Sequence, residues 1–185
     1  MRSKYWRKIV HWLLATSFVF AAPVVHAKVF SSRQEAITLA LPNAERIESR
    51  TLTLTEEQIQ RVTALAAGQI DSKLVTFYTG YRGENIIGYA FLDTYIIRTM
   101  PGTFLIVLSP TGVVQKVMVV AFYEPEDYLP AERWLRQFEQ KTLTPDLQVH
   151  KGIQGIAGAT LSSQGVTNAI RQALAIFQVV LQGEH

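Results

Sequence analysis

The residues best equipped for chemistry lie near the end of the chain. There Gly155-Ile156-Ala157-Gly158-Ala159-Thr160-Leu161-Ser162-Ser163-Gln164-Gly165-Val166 runs from a small-residue turn into an apolar helical repeat. Gly158 and Ala159 have almost no side chain, so another group can approach the backbone closely, and Gly158 can take positive φ without steric cost. Thr160, Ser162 and Ser163 bring hydroxyls to the point where the helix starts, and the first N–H groups of a helix lack internal partners. The helix dipole adds about half a positive charge at that end, a setting that favours a phosphate. The simpler alternative is an ordinary capped helix, because Ser and Thr are preferred N-cap residues.

Gly158-Ala159-Thr160, followed by Leu161-Ser162-Ser163 and Val166, resembles the S-G-A-T-x-T-S motif of FMN-binding domains. Such domains occur in the flavin subunits of the Rnf and sodium-translocating NADH:quinone oxidoreductase complexes. The resemblance implies FMN held at Gly158, Ala159, Thr160, Leu161, Ser162 and Ser163. It also implies a phosphoester on Thr160, placed there by a flavin transferase. The family pattern D-x-x-[ST]-G-A-T reads Gln154 at its acidic position and Ala157 at its first hydroxyl position. Those two departures favour an alternative, a non-covalent FMN-binding or flavin-free accessory module of a membrane or periplasmic redox system. The segment Phe122-Tyr123-Glu124-Pro125-Glu126-Asp127-Tyr128 is similar to the family's E-T-P-G-like stretch close to the flavin. Glu124 matches, Pro125 stands for the Thr and the following Gly is missing, so the resemblance adds Glu124 to the site. It covers roughly Tyr78 to Leu174.

The elements that must position these residues are legible in outline. The spacing of Ser32 and Glu35 predicts a capped helix running to Pro42, and that of Thr55 and Gln58 a second helix ending at Gly68. Thr51 to Leu54 alternates like a half-buried strand. Leu74 to Tyr81 and Ile86 to Ile97, the latter with a bulge at Gly88, read as a hairpin, and Thr103 to Ser109 and Val113 to Tyr123 as another. Two consecutive hairpins imply an antiparallel sheet. Ala131 to Phe138 is a short helix, and Val166, Ala169, Ile170, Ala173, Leu174, Phe177, Val180 and Leu181 form a helical stripe that must lie on the sheet. Tyr78, Tyr81, Tyr89, Tyr95, Phe122 and Tyr123 alternate with apolar neighbours as cross-strand pairs do, with room for one or two to stack on a flavin. The expected fold class is α+β, a twisted antiparallel sheet with packed helices like that of an FMN-binding domain.

The N-terminus has a separate job. Arg2, Lys4, Arg7 and Lys8 precede an apolar run from Ile9 to Val25, and Val25-His26-Ala27 has the small-residue spacing of a signal-peptidase site. Residues 1–27 read as a signal peptide and 28–185 as one FMN-binding domain, exported to the periplasm. The alternative is an uncleaved inner-membrane anchor facing the periplasm. The chain has 18 Lys and Arg against 15 Asp and Glu, but four of those bases and none of the acids precede Lys28. The remainder is nearly neutral, which removes the basic stripe a nucleic-acid partner would need.

Cysteine is absent, which excludes iron–sulfur ligation, c-type haem attachment and a thiol nucleophile. Beyond Lys28 only His150 and His185 could serve as imidazole ligands, too few for a zinc site. Glu124, Glu126 and Asp127 read as a solvated acidic loop rather than an acid–base pair, and the serines lack a G-x-S-x-G elbow. With no catalytic set, no metal site and no Rossmann fingerprint, the expected role is an electron carrier rather than a complete enzyme. It would take electrons from a redox partner protein and pass them on.

Overall fold

The computed structural model of the chain describes residues 28–68, 70 and 72–182. The signal or anchor segment lies outside them. Within them no helix is long and apolar enough to cross a membrane.

Six strands form one sheet: β1 (Lys28–Val29), β2 (Arg46–Thr53), β3 (Leu74–Arg82), β4 (Asn85–Ile96), β5 (Pro101–Leu108) and β6 (Val114–Phe122). Their order is β1-β6-β5-β4-β3-β2, with every neighbour antiparallel. β2 to β6 is therefore a meander in which each strand pairs with the next. The two-residue β1, silent in the sequence pattern, pairs with β6 at the far edge.

Helices cover both faces. α1 (Arg33–Ala40) crosses one face from the β1 edge towards β2, burying Ala36, Ala40 and Leu41 against Ala90, Leu105, Val107 and Val120. Its capping box is complete, with the Ser32 hydroxyl accepting from Glu35 N–H and the Glu35 carboxylate from Ser32 N–H. α2 (Glu56–Ala66), α3 (Glu132–Leu135, continued as a 3₁₀ turn over Arg136–Phe138) and α4 (Thr160–Ile176, continued as a π-turn over Phe177–Leu181) occupy the other face. There Val166, Ala169, Ile170, Ala173 and Leu174 meet Phe77, Phe91, Phe104, Ile106 and Leu108. The α+β class and antiparallel sheet agree with the sequence expectation.

Several boundaries differ from the pattern, each for a physical reason. β2 begins at Arg46, because its first residues are half-exposed and paired on β3 and so carry no apolar alternation. α2 ends at Ala66 and is capped by Ala67, in left-handed conformation at φ 53, one residue before Gly68. Pro101 and Gly102 join β5, opposite Ile96 and Tyr95, with proline at the first position, where it is tolerated. The β3–β4 register shifts between Gly80 and Tyr81, where Gly80 faces Gly88 and Tyr81 faces Ile86, leaving Ile87 as the extra residue beside Gly88. A Cβ on Gly88 would stand 2.9 Å from the Leu108 carbonyl oxygen, so glycine there allows a close strand approach.

Candidate functional site

The Thr160 turn lies where the sequence places it, at the N-terminus of α4, but its capping differs from the simpler expectation. The N-cap is Ala159, at φ −129 and ψ 48, and no side chain caps the helix. Thr160 is the first helical residue and is exposed, and its hydroxyl has no partner among the described residues. The N–H groups of Thr160, Leu161 and Ser162 likewise meet no acceptor among the described residues; that of Ser163 reaches the Ala159 carbonyl at 3.1 Å. A helix start with three free donors and no cap is a site for an anion from outside.

Neighbouring residues hold this end rigid. Ser163 is fully buried, and its hydroxyl accepts from Ile156 N–H at 2.8 Å and donates to the Ala159 carbonyl at 3.1 Å. It is committed to folding the turn. The Gln154 backbone is clamped twice: its carbonyl accepts from Trp134 Nε1 at 2.7 Å and its N–H donates to Gln137 Oε1 at 2.9 Å. Trp134 in turn packs edge-on against Phe138, so α3 anchors the strap that leads to the site.

Gly158 takes φ +77, the left-handed region the sequence allows for, and a Cβ built on it would meet no protein atom within 4 Å. Glycine is therefore required by backbone conformation, and the space above it is open to a ligand. That space belongs to an open cleft of about 900 Å³ bordered by Gln137, Lys141, His150, Lys151, the 152–158 strap and Thr160. None of its lining residues is acidic, and Lys141, His150 and Lys151 form no ion pair among the described residues. Cationic side chains and the α4 dipole thus act on the same volume with the same sign.

Ser162 is fully buried, and its hydroxyl has no hydrogen-bond partner among the described residues. An orphaned buried hydroxyl is costly unless something satisfies it. Leu161 is nearly half exposed beside it, while Ala159 is buried.

Glu124 is 4 % exposed, and one oxygen of its carboxylate accepts from three consecutive backbone N–H groups: Arg98 at 3.2 Å, Thr99 at 2.7 Å and Met100 at 2.9 Å. Burial opposes its ionisation. The hydrogen bonds from Thr99, Met100 and Arg98, helped by the Arg98 charge, outweigh burial and hold it below the usual carboxylate range. The carboxylate thus serves the β4–β5 turn, away from the cleft lining.

None of the sheet aromatics lines the cleft. Phe77, Tyr89 and Phe91 pack in the core, with Tyr89 edge-on to Phe177. In the sequence His150 stands only as a lone candidate metal ligand, and Lys141 and Lys151 belong to no motif. Their common cleft depends on the fold of the 139–153 segment, which has no periodic signal.

Fold and site together define an α+β protein whose last helix opens, uncapped, into a cationic cleft suited to a phosphate. Residues 99–175 match the family model of the FMN-binding domain. No curated protein matches the chain. The match starts at Thr99 rather than near Tyr78, so β3 and β4 lie outside it. The match supports a flavin-binding role, and the donor set fits the group: free helix N–H groups and lysines for the phosphate, and open space over Gly158.

Proposed function

We propose that this chain is an exported electron-transfer flavoprotein. FMN is held by its phosphate at the start of α4 and esterified to Thr160, with Gly158, Ala159, Leu161, Ser162 and Ser163 forming the turn around it. The observation that carries this reading is the uncapped α4 N-terminus, with its exposed Thr160 hydroxyl, inside a segment that matches the FMN-binding domain. Flavin would supply the redox chemistry, and the protein contributes attachment and orientation. Lys141 and Lys151 add charge that draws the phosphate to the free N–H groups, and Gly158 leaves room for it.

In this role the protein works with a redox partner and is matured by a flavin transferase in the periplasm. It is soluble there if residues 1–27 are removed and tethered to the inner membrane if they are kept. A second reading keeps FMN non-covalent. It is favoured by Gln154 and Ala157, and by a cleft whose two lysines match the double charge of a phosphate monoester better than the single charge of a diester.

Intact mass of the exported protein, made with an active flavin transferase, separates the two. A mass above the bare chain by FMN less one water, lost in Thr160→Ala, is expected. A bare-chain mass with FMN still bound establishes the non-covalent reading, and a bare-chain mass with no FMN affinity removes the flavin function.

A further inference from the structure

We propose that Glu124 is a positioning residue for the flavin end of α4, acting through the β4–β5 turn rather than by touching the ligand. The proposal rests on the FMN reading of the Thr160 turn.

Glu124 lies two residues past β6 and reaches over the first residue of β5 to the turn that joins β4 to β5. Its buried Oε1 gathers the N–H groups of Arg98, Thr99 and Met100, with the Thr99 hydroxyl at 3.4 Å as a fourth donor. The turn is closed beneath by Ile97 N–H donating to the Met100 carbonyl at 3.1 Å. Three consecutive N–H groups converging on one anion form a rigid nest, and a buried charge so bonded is expensive to disturb.

The residue this nest fixes is Ile97. Its Cδ1 lies 2.9 Å from where a Cβ on Gly165 would stand, so Ile97 sits directly on the α4 backbone just past the Thr160 turn. Gly165 is therefore the slot that receives it. The chain of contact is continuous: Glu124 carboxylate, turn 97–100, Ile97 side chain, Gly165, α4. Ile97 is 6 % exposed, so this contact leaves little free space for the helix to shift into. A single carboxylate just past the end of β6 thus sets how the helix that carries the free donors sits on the sheet.

The test uses the full chain expressed without a flavin transferase, with amide hydrogen exchange in the flavin-free protein and FMN titration followed by flavin fluorescence. Glu124→Ala is expected to speed exchange at Arg98, Thr99 and Met100, and at the first backbone-bonded amides of α4 from Ser163 to Val166, by about tenfold or more while leaving Val62 of α2 unchanged. It should weaken FMN binding by about tenfold, the scale of residues that act through packing. Glu124→Gln, which keeps an acceptor oxygen, should restore most of both.

Ile97→Ala enters the same chain one step later and remains informative if the Glu124→Ala variant does not fold. It should weaken FMN binding and speed α4 exchange by itself, and combining it with Glu124→Ala should cost no more than the worse single change. Unchanged α4 exchange in Glu124→Ala or in Ile97→Ala, or effects of Glu124→Ala and Ile97→Ala on FMN binding that simply multiply, would overturn the proposal. Absence of FMN binding in the wild type would instead remove the flavin reading, and the exchange data would still decide whether Glu124 positions α4.

Discussion

Two hydroxyls three residues apart play opposite parts at the start of α4. The Thr160 hydroxyl is exposed and bonds to nothing among the described residues, whereas Ser163 is buried and uses its hydroxyl as both acceptor and donor within the turn. Thr160→Ala should therefore leave thermal stability within about 0.5 kcal/mol of wild type, as for a surface change with no lost partner. Ser163→Ala should cost about 1–2 kcal/mol by stranding the Ile156 N–H. Chemical denaturation of the two variants in the flavin-free state checks the contrast. A large loss in Thr160→Ala would return that residue to a capping role and weaken the case for its hydroxyl as an attachment point.

At the scale of elements, the site depends on how α4 meets its neighbours. Arg171, 5 % exposed on α4, donates to the Leu65 and Ala66 carbonyls at the end of α2 and to the Thr144 and Leu147 carbonyls of the loop before the strap. It thereby satisfies the orphan carbonyls of one helix end, complements the negative end of its dipole and ties three segments together. Arg171→Met should destabilise the protein by about 3 kcal/mol or more, since several buried charge-assisted bonds go at once. Arg171→Lys should rescue little, because a point ammonium cannot span both pairs of carbonyls as a planar guanidinium does. Urea midpoints of the two variants measure this, and full rescue by lysine would mean that charge alone suffices.

Across the whole molecule, two layers of helices enclose one sheet, and Glu124, the one buried acid among the described residues, makes stability depend on pH. The folded-state pKa of Glu124 is lowered, so its contribution is fully present above the ordinary carboxylate value and is lost as pH falls through the lowered one. Glu35, also lowered by its bonds to Ser32, acts with the same sign, but it is exposed and its effect is screened. Unfolding free energies measured from about pH 6 down to about pH 3 should fall for the wild type and fall less steeply for Glu124→Gln. Parallel slopes would show that the nest does not hold an ionised carboxylate.

Local sequence determined the parts that depend on local rules. Both capping boxes, the two hairpins, the apolar stripe of α4 and the glycine at the Thr160 turn obey spacing and backbone rules that act within a few residues, and all stand in the structure. The motif around Thr160 was readable for the same reason. Only the tertiary structure decided what each polar group is free to do. Ser163 is spent within the turn, Ser162 is stranded, Glu124 is turned to the β4–β5 turn, and Lys141, His150 and Lys151 share a cleft with Thr160. Those outcomes depend on contacts between residues distant along the chain, and the free energy of a buried polar group is set by the partners that packing brings to it.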